Sequence, residues 1–515
     1  MLEAQVRNQV REVLGRLSSS FTFRVERDRG SRDDARFCEF VEDVASTSDH
    51  LQVEYHDAGA FRFSIMKDGL PLGISFRGIP NGHEFTSLLL ALLNADGQGR
   101  NLPDEAISRR IQALNEDINL KIYVSLTCTN CPDVVQALNV MALLNPHITS
   151  EMVDGGVNQE ETSRLGIQAV PSVYANGELL HIGRGNLGSL LEKLEDRFGA
   201  SAPVAEPTQR QYDLTVLGGG PAGAAAAIYA ARKGLRVAVV ARRIGGQVND
   251  TTDIENVISV AKTTGTRLAS DLAAHLGEYA IDVFTDRKIT AVDFSSDMKR
   301  VEAKGGETFL SPRVIIATGA GWRRLGLEGE DALIGHGVHF CPHCDGPFYK
   351  GRNVAVIGGG NSGAEAAIDL AGICKHVTLY EYSDAMKADG VLQEKLRTLP
   401  NVDIRLQSQT TALTSADGKL TGIDVRDLIT GEVSHEALDG VFVQIGLQPN
   451  SSVFKDTLDT NRRGEIVIDE RNHTSVHGVY AAGDVSTVPF KQIMIAMGEG
   501  AKAALSAFED SLYQK

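Results

Sequence analysis

Residues Asp213–Gly234 read DLTVLGGGPAGAAAAIYAARKG, and residues Asn353–Gly372 read NVAVIGGGNSGAEAAIDLAG. Each is an aliphatic, β-branched run, then a GxGxxG loop, then an Ala-rich helical stretch, so the chain carries one strand–loop–helix unit twice. In the first, Gly218, Gly220 and Gly223 permit a tight turn, close approach of backbone to a pyrophosphate and close packing of helix on strand; the phosphate sits at the helix N-terminus. Gly358, Gly360 and Gly363 repeat the arrangement. An α/β fold with two Rossmann-like nucleotide-binding domains is the expectation. One such loop is weak evidence by itself, and the flanking sequence is what strengthens it.

Beyond the second loop, the predicted strand HVTLYE ends in Glu381. A carboxylate about 20 residues past the glycines accepts hydrogen bonds from a ribose 2′-hydroxyl and repels a 2′-phosphate, which favours NADH over NADPH. Lys387 is the only base in the following YSDAMKAD. The plainer alternative is a solvated acid at a strand end. After the first loop, the strand RVAVV runs into Ala241, Arg242 and Arg243, without the usual ribose-binding acid. Further on come GGQVNDTTDIEN from Gly245 to Asn256 and VYAAGDV with Gly483 and Asp484. With the first loop, these resemble the FAD site of the thioredoxin-reductase-like flavoproteins. That resemblance implies cofactor contacts at Gly245, Gly246, Gln247 and Asn256, with Gly483 and Asp484 at the ribityl and phosphate region of the flavin.

Four of the six cysteines fall in two C-x-x-C pairs. Cys341 and Cys344, followed by Asp345, lie just upstream of the second loop. Two thiols so spaced cycle between dithiol and disulfide, one attacking and one resolving, and a nearby acid moves the proton of each half-reaction. A zinc ribbon needs a second C-x-x-C some 15 to 20 residues on, and none is there, so no metal is expected. Cys128 and Cys131 follow the predicted strand KIYVSL and precede the helix DVVQALNVMALL, where the helix N-terminus favours thiolate. Val170-Pro171 stands where thioredoxin-like active sites carry a cis-proline. Cys38 and Cys374 are single and read as core residues.

A subtler repeat occupies the N-terminal part. Near Phe61 a strand, a KDG turn, a strand, Gly78 and the helix EFTSLLLALL follow one another; near Pro171 the same order is PSVY, an NG turn, ELLHI, Gly183 and LGSLLEKLEDRF. Both resemble the second half of a thioredoxin fold, so two fused thioredoxin-like folds are expected. Glu84 opens the apolar helix of the first half. Its default reading is an acid favouring the helix dipole; if the two halves pack together, it lies near the disulfide as an acid or base. FGASAPVAEPTQRQ, from Phe198 to Gln211, reads as a linker.

The length of 515 residues suits three or four domains. A formal charge of −16 argues against a nucleic-acid-binding surface. No stretch reaches the ~18 apolar residues of a membrane span. The N-terminal MLEAQVRNQVREVLGRL lacks the apolar core of a secretory signal, and a cytoplasmic protein is expected.

In order of parts, and in CPDVVQALN, GGQVNDTTDIEN, HFCPHCDGPFYKG and GVYAAGDVSTVP, the chain resembles the flavoprotein (F) family of alkyl hydroperoxide reductases over essentially its whole length. Thr129 departs from the C-H-N-C common in that family. The resemblance implies a homodimer with FAD, NADH as donor and the peroxiredoxin component of alkyl hydroperoxide reductase as acceptor, supporting peroxide detoxification. Expected boundaries are 1–118 and 119–198 for the thioredoxin-like folds and 199–210 for the linker. Residues 211–326 and 447–515 then form the FAD-binding domain, and 327–446 the NADH-binding domain. The carriers stand as pyridine nucleotide, flavin, Cys341 with Cys344, then Cys128 with Cys131. The alternative is a thioredoxin reductase with its own fused thioredoxin, acting on general disulfides.

Overall fold

The computed structural model describes residues 3–29, 33–99, 101–128, 131–167, 170–199, 208–250, 254, 256–334, 336–340, 342–416 and 419–513. The chain divides into two compact units, Met1–Val204 and Ala205–Lys515.

The first unit is built on one eight-stranded sheet. Its strands are β1 (Phe21–Arg27), β2 (Leu51–Asp57), β3 (Arg62–Lys67), β4 (Leu70–Arg77), β5 (Ile118–Val124), β6 (Ile148–Asp154), β7 (Ser172–Ala175) and β8 (Glu178–Ile182). The order β2-β1-β3-β4-β6-β5-β7-β8 contains the same four-strand pattern twice, a parallel pair followed by an antiparallel hairpin, joined where β4 runs parallel to β6. The sequence repeat thus becomes two thioredoxin-like folds sharing a sheet. Each hairpin closes through two residues of positive φ, Asp68-Gly69 in one and Asn176-Gly177 in the other, the turn whose twist matches that of the strands. A continuous core runs under both halves. It takes Phe23, Phe63 and Phe76 from the first and Ile122, Val134 and Leu138 from the second, all at most 1% exposed.

The second unit holds two nucleotide-binding folds. In the first, five parallel strands lie in the order Ile281–Phe284, Val237–Ile244, Leu214–Gly219, Val314–Ile316 and Val479–Ala481. The Ala-rich helix Pro221–Ala231 packs with the long helix Ile493–Tyr513 through small buried residues, Ala222 and Ala226 against Ala503, Ala504 and Ala507. A four-stranded sheet lies beside it, and its edge strand is Gln209–Gln211, paired parallel to Glu307–Ser311. Gln209 and Arg210, read from sequence as the end of the linker, are therefore ordered ladder residues; 200–207 lie outside the described residues.

In the second nucleotide-binding fold the order is Val338–His339, Gly440–Val443, Asn353–Ile357, His376–Tyr380 and Val402–Arg405, again parallel, with a three-stranded antiparallel sheet from Ser408 to Ala437. Chain passage between the two folds is marked by the antiparallel strands Ala320–Trp322 and Leu447–Pro449. Among the described residues, no helix is long and apolar enough to cross a membrane.

Candidate active site

Helix Cys131–Leu144 begins at the second cysteine of its pair, and the backbone N–H of Cys131 donates a 3.2 Å hydrogen bond to the Cys128 sulfur. That sulfur lies 3.8 Å from the carbonyl oxygen of Val170, and the Val170–Pro171 peptide is cis. Both sulfurs are thiols. Cys131 is fully buried, and burial, with the Cys128 hydrogen bond, pushes its thiol far up. Cys128 is partly exposed. The outer sulfur is therefore reachable and stabilised by a helix-terminal amide, and the inner one is sealed. Thr129 lies outside the described residues.

Glu84 sits where helix Phe85–Ala95 starts, and it is not a solvated helix-end acid: its exposure is 0%. The reason is packing, because Leu88 and Leu92 of this helix join Val134 and Leu138 of helix Cys131–Leu144 in one core. The Ser87 hydroxyl donates to Glu84 Oε2 over 2.7 Å, and the Gln136 amide reaches Ser87 Oγ at 3.4 Å. Glu84 Oε1 has no hydrogen-bond partner among the described residues. Burial pushes the Glu84 carboxyl up to about 7, the Ser87 bond opposes this, and charge at Cys128 and Asp133 adds to it. The two halves bring this acid to the cysteine pair.

At the first glycine loop, Gly218 has φ +115°, and a Cβ there would stand 2.1 Å from the Ala317 carbonyl oxygen. Gly223 packs so closely on the strand that its Cβ would lie 1.9 Å from the Gly218 oxygen. Gly220 is the N-cap of helix Pro221–Ala231, leaving backbone N–H groups at the helix end for an anion. The Gly245 N–H donates to the Gly219 oxygen at 2.8 Å, which seats Gly245, Gly246 and half-buried Gln247 against this loop. Asn256 donates to Gln492 at 3.1 Å. Gly483, at the contact with Ala222, brings in Asp484, whose carboxyl is pushed up by burial and held down by Lys491. Loop, amides and acid thus converge on one cradle that side chains would fill, which is the fit a dinucleotide flavin requires. Arg242, in the place of the expected ribose-binding acid, is exposed.

The second loop opens on a cleft of about 590 Å³. Gly358 has φ +120°, with the Gln444 carbonyl oxygen 2.3 Å from where its Cβ would be; Gly363 packs on Gly358, and Gly360 caps the helix. Glu381 accepts from the backbone N–H of Gly359 at 2.5 Å and of Ser383 at 2.8 Å. Burial works against its charge, but these amides, together with the Ser383 side chain and the Lys387 charge, hold the carboxyl below its ordinary value. It is an anchored carboxylate rather than a solvated one. Sequence reading missed the opposite wall: Arg323, Ser408, Thr410 and Gln444 come from distant strands without a shared spacing. The Thr410 hydroxyl is buried and has no hydrogen-bond partner among the described residues, which suits a cleft awaiting a polar ligand.

Cys341 lies outside the described residues. Cys344 is in the short helix Pro342–Asp345. Asp345 Oδ2 is 3.0 Å from His339 Nδ1, and His339 Nε2 is 2.7 Å from the Tyr349 hydroxyl. Neither His339 nor Tyr349 stands out in the sequence, since single residues flanking a motif carry no periodic signal. Among the described residues, no group of His, Cys, Asp and Glu forms a metal site.

Residues 212–500 match the family described as pyridine nucleotide-disulphide oxidoreductase, and residues 118–195 match the thioredoxin domain family. The chain is 46% identical over 512 residues to the F component of alkyl hydroperoxide reductase from Staphylococcus aureus (strain MRSA252), covering 99% of each. The chain belongs to the alkyl hydroperoxide reductase F family. The F component from Pseudomonas putida is likewise 46% identical over 513 residues, covering 99% of this chain and 98% of that one. Among solved structures, thioredoxin reductase of T. acidophilum is 36% identical with a TM-score of 0.55, over 59% of this chain and 99% of its own. That of Lactococcus lactis is 31% identical with a TM-score of 0.56, over 58% and 99%. This member of the alkyl hydroperoxide reductase F family is an NAD(P)H-dependent flavin disulfide oxidoreductase, with FAD and NAD(P)H as its cofactors. The first cradle suits the flavin and the second cleft the pyridine nucleotide.

Proposed function

We propose that the chain, as a cytoplasmic homodimer, carries electrons from NADH through FAD to Cys341 with Cys344, then to Cys128 with Cys131, and finally to a peroxiredoxin, the partner component of alkyl hydroperoxide reductase, thereby supporting peroxide removal. The observation that carries this is the outer thiol of Cys128, partly exposed, bonded by the Cys131 N–H and backed by the buried acid Glu84. Such a thiol suits exchange with a disulfide on another macromolecule.

Gly218, Gly220, Gly223, Gly245, Gly246, Gln247, Asn256, Gly483 and Asp484 are the residues that would hold the FAD. Gly358, Gly360, Gly363 and Glu381 would hold the NADH, whose ribose hydroxyls suit a carboxylate that a 2′-phosphate would meet as a like charge. Bound flavin supplies acceptance of a hydride equivalent and release of two electrons to a disulfide. At Cys341 and Cys344, Asp345 exchanges the proton that thiol and disulfide forms differ by; at Cys128 and Cys131, Glu84 does so. A carboxyl with its midpoint near neutral pH is matched to that task. Covalent fusion of the two units replaces a bimolecular encounter with an intramolecular one at an effective concentration on the order of mM.

Replacing both Cys128 and Cys131 with serine is expected to leave NADH reduction of the flavin intact and to abolish turnover with a peroxiredoxin. Survival of that turnover would sink the relay. Equal rates with free thioredoxin and with a peroxiredoxin would instead favour the general disulfide reductase.

A further inference from the structure

We infer that Ser87 and Gln136 are positioning residues for Glu84: the Gln136 amide orients the Ser87 hydroxyl, the hydroxyl holds one oxygen of the buried carboxyl, and the other oxygen is left for the proton of Cys131. The inference deepens the proposed role of Glu84 and rests on it.

Local chain geometry brings Glu84 to the cysteine pair. The turn Gly82–Glu84 lies against the segment leading into Cys128: the His83 N–H donates to the Leu126 carbonyl oxygen at 3.3 Å, and a Cβ on Gly82 would stand 2.7 Å from that same oxygen. Across this contact charge at Cys128 acts on Glu84, and charge at Glu84 acts on Cys131. Gln136 belongs to helix Cys131–Leu144, the helix that the pair itself opens. Acid, hydroxyl, amide and sulfurs therefore share one corner of the first unit.

The chain has a definite polarity. An amide nitrogen only donates and an ionised carboxylate only accepts, so Gln136 Nε2 gives a long hydrogen bond of 3.4 Å to Ser87 Oγ, and the one hydroxyl hydrogen of Ser87 goes to Glu84 Oε2 at 2.7 Å. A serine in the first turn of a helix ordinarily bonds backbone or water. Ser87, like Glu84, has 0% exposure, and its hydroxyl serves the acid instead. Glu84 Oε1 is buried and has no hydrogen-bond partner among the described residues. A carboxyl held at one oxygen and bare at the other is costly to bury, and it makes sense where a proton must land on one oxygen alone.

The sealed sulfur of the pair supplies that need. Cys131 is fully buried and its thiol is pushed far up, chiefly by burial, so its proton must pass to an internal acceptor. Burial pushes the Glu84 carboxyl up to about 7, the Ser87 bond pulls it back, and charge at Cys128 and Asp133 adds to the rise. The titratable groups around it are thus Cys128, Cys131 and Asp133, with His83 beside it in its own turn. Ser87 keeps the carboxyl ionisable near neutral pH, where a base for Cys131 has to work.

Protons and electrons balance. The Cys128 thiolate attacks a sulfur of the acceptor disulfide, whose S–S bond breaks and releases one acceptor thiolate. The Cys131 thiol then gives its proton to Glu84 Oε1, and its sulfur attacks Cys128, closing the Cys128–Cys131 bond and expelling the second acceptor thiolate with the electron pair. When the pair is reduced again, Oε1 returns the proton to Cys131.

The test uses the full-length flavoprotein carrying Cys341→Ser and Cys344→Ser, so that no electrons arrive from the flavin; Cys38 and Cys374 are buried. The pair is reduced with dithiothreitol, freed of reductant without air, and mixed with one equivalent of dithiobis(nitrobenzoic acid). The first coloured thiolate reports attack by Cys128 and the second reports closure by Cys131. In the parent the rate of the second release is expected to rise with pH through about 7. Ser87→Ala removes the donor to Oε2, makes the carboxyl easier to protonate, and is expected to move that midpoint up by about one pH unit. Gln136→Met, at a half-buried site, should move it less and in the same direction, and the double variant should match Ser87→Ala alone, since both act through one carboxyl. Glu84→Gln should have no limb there, and adding Ser87→Ala should not create one. The midpoint is the readout, so a slower plateau from looser packing does not imitate the effect. If Ser87→Ala keeps the parent midpoint while Glu84→Gln loses the limb, the positioning role is overturned and the role of Glu84 stands. Should Ser87→Ala fail to fold, an unmoved midpoint in Gln136→Met overturns it equally. If Glu84→Gln itself keeps the limb, the role of Glu84 falls first, and the inference with it.

Discussion

The N–H of Cys131 points its hydrogen at the sulfur of Cys128 across 3.2 Å, so the first amide of helix Cys131–Leu144 stabilises negative charge on the outer thiol of the pair. The inner thiol has no exposure and is pushed up by burial. One residue of the pair is thus built to attack and the other to resolve. In the NADH-reduced protein, a small alkylating reagent is expected to label Cys128 first, leaving Cys131 unlabelled until the unit unfolds. Peptide mass spectrometry against time checks this, and equal labelling of the two would contradict it.

Glu84 predicts a pH dependence of stability whose sign follows from its carboxyl lying at about 7 when folded, against an ordinary value of 4.5. The folded state binds the proton more tightly, so stability is greatest below about 4.5, declines as pH rises through 7, and is flat above that for this group. The full span corresponds to about 3 kcal/mol as an upper figure. Glu84→Gln cannot ionise; it is expected to be less affected by raising pH than the parent, and thermal unfolding of both proteins at weakly acidic and weakly alkaline pH measures it. The same variant should slow reduction of a peroxiredoxin while leaving flavin reduction by NADH unchanged.

Glu381 carries the nucleotide prediction. Its two oxygens are held by the amides of Gly359 and Ser383, which orients the carboxylate and keeps it charged. Glu381→Ala should raise KM for NADH by about tenfold, matching roughly 1.4 kcal/mol for a charged hydrogen bond to the ribose, and narrow the preference over NADPH. Steady-state kinetics with both nucleotides decide it. An unchanged preference would return Glu381 to the part of a loop anchor.

What the sequence makes legible here is chemistry that forces its own local residues. Gly218 and Gly358 need positive φ beside a carbonyl oxygen, and paired thiols need their C-x-x-C spacing, so both are visible as strings. The hairpin turns Asp68-Gly69 and Asn176-Gly177 are visible for the same reason. Glu84 is ambiguous in sequence because its burial depends on two helices distant along the chain packing into one core. The wall of the nucleotide cleft at Ser408, Thr410 and Gln444, and the chain from Asp345 through His339 to Tyr349, arise from strands meeting in space, and nothing in their sequence neighbourhoods announces the meeting.

Gly500 offers a test of how the flavin cradle is braced. A Cβ at this position would sit 2.0 Å from the Ala222 carbonyl oxygen, which is backbone in the first turn of helix Pro221–Ala231 and cannot swing aside. Gly500→Ala must therefore push helix Ile493–Tyr513 away from the helix that follows the first glycine loop. Gly483 packs on that same residue Ala222, and Ala496 of the long helix stands 3.5 Å from the Gly483 Cβ position, so the shift reaches Asp484 as well. Overpacking of this kind costs about 1–3 kcal/mol, more where backbone meets backbone. Lower flavin occupancy after purification and a lower melting temperature are expected, both partly restored by added FAD through binding to the folded state. A variant that retains its flavin and melts with the parent would show that the two helices separate without disturbing the cradle.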